Sequence, residues 1–124
     1  MKKLKINYNI ISQDTSASFI TEGEYKNQRI KFLDHEGNTN YIIFKNDVVE
    51  YYKKGSVEMK FVFDIQNQTE GSYSVSGYQL AFTINTKLLQ KTDTKLIVEY
   101  DLYQGTDLVN NTKLNVEYTS LKED

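Results

Sequence analysis

Lys53 and a small set of tyrosine and threonine side chains are where this chain of 124 residues could do chemistry. Val49, Tyr51 and Lys53 fall at every second position of a β-prone run, so an extended backbone turns all three to one side. An amine on an inward side needs a counter-charge or an anionic ligand. Without either, it snorkels out of an open end or pairs with a nearby carboxylate. Thr21, Tyr73, Thr86 and Tyr100 fall on the apolar sides of other alternating runs, where their hydroxyls would be polar anchors in an otherwise apolar lining. Lys53, Tyr51, Tyr73, Thr21, Thr86 and Tyr100 are therefore the candidate ligand contacts.

Other chemistries find little support. The single histidine, His35, lies between Asp34 and Glu36, and neighbours in a tight turn or strand point apart. With no second histidine and no cysteine, it is expected as an exposed turn residue, and neither a metal nor a cofactor is expected. Glu99 and Asp101 share one face of a predicted strand, with Glu117 able to join them. Such carboxylates work as an acid and base pair only when one is desolvated, and this face is expected to be a solvated acidic surface. No residue is assigned a catalytic role.

The formal charge is −2, and Lys and Arg are spread along the sequence without a basic stripe, so nucleic-acid binding is not expected. After Lys2, Lys3 and Lys5, polar Asn7 and Asn9 interrupt any signal-like apolar run, and no stretch has membrane-spanning length. The reading is a cytoplasmic protein. Asn67-Gln68-Thr69 and Asn110-Asn111-Thr112 then serve only as loop markers.

The elements that must position these residues are strands. From Gly55 to Ile65, Val57, Met59, Phe61, Phe63 and Ile65 recur at every second residue, opposite Ser56, Glu58, Lys60 and Asp64. The same period runs through Leu4, Ile6, Tyr8 and Ile10, then Phe19, Thr21, Gly23 and Tyr25, then Ile30 and Phe32. Later sets are Leu80, Phe82, Ile84, Thr86 and Leu88, then Leu96, Val98, Tyr100 and Leu102, then Leu114, Val116 and Tyr118. Turns separate them, including Asp34 to Asn38, and a longer polar loop is expected over Gln104 to Asn111. The sum is one all-β domain over residues 1–124, an antiparallel up-and-down barrel of eight to ten strands, with 120–124 as a frayed tail. A two-sheet sandwich is the alternative. Outward Glu22, Glu24, Lys60, Asp64 and Glu99 argue against a membrane barrel, whose outer face must be apolar.

Three segments in order resemble the YwiB-like family of small bacterial β-barrels, a domain of unknown function with a calycin-like, lipocalin-shaped fold. They are Thr21-Glu22-Gly23-Glu24-Tyr25, Lys53-Lys54-Gly55-Ser56-Val57-Glu58-Met59, and Val98-Glu99-Tyr100-Asp101-Leu102 with Leu114-Asn115-Val116-Glu117-Tyr118. Together they reach from Lys5 to Tyr118. The family pattern carries an arginine where this chain has Lys53, which keeps the charge and loses the planar fork. The resemblance implies the fold and a bacterial origin, and it brings no activity.

Two functions follow as alternatives. A barrel of about eight strands is near the size at which side chains just fill the lumen or leave room for one small ligand. An incompletely filled lumen makes a non-enzymatic module for a small apolar or amphipathic ligand, oriented by the hydroxyls and by Lys53 at the mouth. A filled one makes a structural or protein-interaction barrel acting through its outer face, as a monomer or homodimer. An enzyme using Lys53 with an inner tyrosine is a third reading.

Overall fold

A computed structural model describes residues 1–121. Ten strands follow one another: β1 (Lys2–Ser12), β2 (Ser16–Lys26), β3 (Arg29–Leu33), β4 (Thr39–Lys45), β5 (Val48–Lys54), β6 (Val57–Asp64), β7 (Thr69–Val75), β8 (Tyr78–Lys91), β9 (Lys95–Gln104) and β10 (Asp107–Ser120). Each pairs antiparallel with its sequence neighbour, and β1 pairs with β10, from Leu4↔Ser120 to Ser12↔Thr112, closing an up-and-down barrel. The upper end carries the β1–β2, β3–β4, β5–β6, β7–β8 and β9–β10 turns. The lower end carries the chain's start and the other four turns.

Alternation sets the core. Leu4, Ile6 and Tyr8, then Ile30 and Phe32, Ile42 and Phe44, Phe61 and Phe63, Leu96, Val98 and Tyr100, and Leu114, Val116 and Tyr118 are all buried in one cluster inside the barrel. Burying each large apolar side chain contributes roughly 1.5–3 kcal/mol. Gly23 and Gly71 are required by this packing rather than by turns. A Cβ on Gly23 would lie 2.5 Å from the Lys31 carbonyl oxygen, and one on Gly71 would lie 2.8 Å from both Phe61 and Ile84.

Several boundaries differ from the sequence reading. Ile65 falls past the end of β6 in a bend and is 47% exposed, so four residues of that run, not five, face inward. In β8 the register shifts between Thr86 and Leu88: Thr86 pairs with Tyr100, but Leu88 pairs with Glu99 and Leu89 with Val98. Lys87 is thus the extra residue of a bulge, which turns Leu89 inward in place of Leu88. The expected loop over Gln104 to Asn111 is only the Gly105-Thr106 turn, with Asn110-Asn111-Thr112 inside β10. Nor does the chain fray at Ser120: it ends β10, and the Leu121 amide donates to the Lys3 carbonyl at 2.9 Å. The rest of the expected tail, 122–124, lies outside the described residues.

Candidate functional site

Lys53 does face the inner side, at the upper end: its register partners are Asn40 and Met59, both packed inward. Its ammonium is 3.8 Å from the Asp34 carboxylate, and its side chain keeps 26% exposure. Asp34 closes β3 and turns the chain toward β4, and its carboxylate accepts from the Glu36 and Asn38 amides at 3.0 Å each and from Asn40 Nδ2 at 2.9 Å. Burial works to raise its pKa, and the Asn40 bond, the two amides and Lys53 outweigh that and hold it below the usual value.

From Asp34 the chain of hydrogen bonds runs inward. Asn40 Oδ1 accepts from the Tyr51 hydroxyl, whose oxygen lies 3.0 Å from the Tyr8 hydroxyl. Since the Tyr51 proton goes to Asn40, Tyr8 donates to Tyr51. Burial pushes the Tyr8 phenol up to about 12 and Tyr51 well above its usual value, so both stay neutral donors at ordinary pH. Asn38 fastens the next turn: fully buried, it accepts from the Ser56 hydroxyl at 3.3 Å and the Val57 amide at 3.2 Å. A Cβ on Gly55 would come within 2.4 Å of that same Asn38 oxygen.

The remaining sequence-predicted residues divide. Tyr100 is buried in register between Thr86 and Thr112, its phenol also raised by burial. Thr86 Oγ1 is buried without a hydrogen-bond partner. Tyr73 is half-buried, in one register row with Met59 and Leu80. Thr21 stands apart, donating to the Leu33 carbonyl at 3.2 Å. Lys53 and Tyr51 are therefore joined through Asp34, which sequence reasoning placed in a turn, and Asn40, which it left unassigned. Tyr100 and Thr86 adjoin each other, and Thr21 joins neither group.

His35 is exposed, with its ring centre 5.1 Å from that of Phe19 in an edge-on arrangement. Among the described residues no group of three or more His, Cys, Asp or Glu could hold a metal ion. The expected acidic surface holds for Glu99 and Glu117 but not for Asp101, which is 4% exposed. The Asp101 carboxylate accepts from Lys87 Nζ at 2.9 Å and from Asn111 Nδ2 at 2.8 Å. Burial opposes ionisation there, and these two partners overcome it, leaving the pKa low. That is the opposite of what a general acid requires.

The larger opening is at the other end. A concavity of about 840 Å³ lies between the β4–β5 and β6–β7 turns and the end of β8, lined by apolar Phe44, Val49, Ile65 and Leu89 and by polar Gln28, Gln66, Lys91 and the Lys45-Asn46-Asp47 turn. Lys91 Nζ sits 4.4 Å above the Phe44 ring and forms no ion pair within 4.0 Å among the described residues. Lys91 also borders a second concavity, of about 430 Å³, with Tyr25, Thr92 and Tyr118. The only sequence signal for this mouth was the alternation placing Val49 inside; Phe44 was left unassigned, and the bulge hid Leu89.

In comparison with solved structures, the chain matches the crystal structure of the ywiB protein from Bacillus subtilis at a TM-score of 0.77 and 17% sequence identity, over 98% of this chain and 93% of that one. That likeness shows the fold. No curated protein matches the chain. A family described as a domain of unknown function, DUF1934, matches residues 3–116, a span that takes in the motifs from Thr21 to Val116. The chain belongs to this DUF1934 family of β-barrels.

Proposed function

We propose that the barrel is a binding module for a small amphipathic molecule, held at its lower mouth and not beside Lys53. The observation that carries this is the 840 Å³ concavity, partly lined by apolar Phe44, Val49 and Leu89, together with the Lys91 ammonium, which has no carboxylate within 4.0 Å among the described residues. Its volume lies in the range of about 300–1,000 Å³ typical of small-molecule sites. An apolar body laid on Phe44, Val49 and Leu89 leaves water, while an anionic head draws Lys91 off the Phe44 ring. At the upper end, Lys53 already has its counter-charge in Asp34, and Tyr8, Tyr51 and Asn40 satisfy one another. That relay is best read as the device that fastens the upper turns. Charged Glu22, Glu24, Lys60 and Glu99 on the outer face support a barrel that works in water, consistent with a cytoplasmic place.

The test is titration with a fluorescent dansyl fatty acid. The wild type is expected to give saturable enhancement, Leu89→Trp to abolish it by filling the concavity, and Lys91→Gln to weaken it about tenfold, near the value of one charge-assisted bond. Equal binding by Leu89→Trp and wild type, or no saturable binding by the wild type, overturns the proposal. Native mass spectrometry of protein purified from its source is expected to retain a small molecule that the tryptophan variant lacks.

A further inference from the structure

The outer face of β3 to β6 gathers cations that lie far apart in sequence. Register aligns Lys31, Tyr41, Tyr52 and Lys60 in one row across these four strands. The row spans about 14 Å at the usual strand spacing. Arg29 Cζ lies 5.3 Å from the centre of the Tyr41 ring, and Lys31 and Lys54 Nζ each lie 5.9 Å from it. Lys60 Nζ is 5.8 Å from the Tyr52 ring. Three like charges around one half-buried ring repel one another, and an anion among them would relieve that repulsion.

Carboxylates on this face are largely engaged. Glu24 is 4.0 Å from Lys31, and Glu50 accepts from Lys45 at 3.1 Å and from the Tyr52 hydroxyl at 2.9 Å. Glu58 stands exposed on β6, two residues before Lys60. Arg29, Lys54 and Lys60 have no carboxylate within 4.0 Å among the described residues. Tyr52, Lys54 and Lys60 also border a concavity of about 570 Å³ that passes over the strand ends to the inner row of Lys53, Met59 and Tyr73.

We propose that this face binds a short segment of single-stranded nucleic acid. Phosphates lie among Arg29, Lys31, Lys54 and Lys60, and the lysines swing from ring to phosphate and free the Tyr41 and Tyr52 faces for bases. A sheet surface pairing aromatic rings with flanking cations is the general platform for unstacked bases. A duplex hides its bases and offers the tyrosines nothing. The spread of Lys and Arg along the chain conceals this surface, because its cations come from three strands, β3, β5 and β6.

Fluorescence anisotropy with a labelled ten-nucleotide oligouridylate at low salt tests it. Wild type is expected to bind, and the same sequence as a duplex to bind at least fivefold more weakly. The pair Tyr41→Ala and Tyr52→Ala should lose at least fivefold, while Tyr41→Phe with Tyr52→Phe, which keeps the rings and the fold, retains binding. Arg29→Gln with Lys54→Gln should flatten the logarithmic salt dependence by about 1.4, at about 0.7 per phosphate contact on a single strand. The proposal is overturned if wild type does not bind. It is equally overturned if the alanine pair binds as wild type does while inorganic polyphosphate displaces the oligonucleotide, since the face would then attract any polyanion.

Discussion

The Asp34 carboxylate shows how one side chain can organise an end of a barrel. It is bonded by two amides and Asn40, and through Asn40 reaches Tyr51 and Tyr8. Every bond in the relay satisfies a group that burial would otherwise leave orphaned, so its value lies mainly in what its loss would cost. Tyr51→Phe leaves Asn40 Oδ1 and the Tyr8 hydroxyl without a partner, and urea denaturation should show a loss of about 1–3 kcal/mol. Tyr73→Phe, half-buried at the rim, should stay within about 0.5 kcal/mol of wild type. The relay also carries a pH signature. Asp34 has a folded pKa below its unfolded one, so its contribution is complete above the unfolded value and disappears as pH falls through the folded value. The wild type should therefore lose stability between about pH 5 and pH 2 more steeply than Asp34→Asn, measured as urea midpoints across that window.

At the scale of the strands, the alternation of Leu4, Ile6 and Tyr8, or of Phe61 and Phe63, was legible because burial on one face leaves a period of two in the sequence. What alternation cannot carry is a change of phase. Lys87 as an extra residue moved the inward position from Leu88 to Leu89, and the end of β6 put Ile65 outside, with no compositional mark for either. Side-chain partners were hidden for a related reason. Nothing in Asp34-His35-Glu36-Gly37-Asn38 distinguishes a solvated turn from one whose first and last residues are buried and bonded to β5 and β6. Lys53 was read correctly as inward, but its partner depended on the β4–β5 register. The same dependence makes Gly55 critical. Gly55→Ala should destabilise by about 1–3 kcal/mol, because its Cβ meets Asn38, and should cost clearly less in an Asn38→Ala background. Thermal or urea denaturation of the four proteins of that cycle measures the coupling.

Among the described residues the molecule is a ring of ten strands whose one non-consecutive seam joins β1 to β10. Closure leaves no strand edge for another chain to pair with, which is why Val-, Ile- and Tyr-rich strands can coexist with water. Cutting that seam should reverse the advantage. A chain ending at Thr106 lacks β10, exposes the edges of β1 and β9 together, and is expected to elute as larger species in size-exclusion chromatography, where the intact chain does not. The seam also has a meaning in time. During synthesis β1 emerges before β10, so one flank of β1 waits, unpaired, until the eight strands between them have been made. The nascent chain therefore stays sticky until β10 emerges, and the seam is most exposed just before that strand arrives.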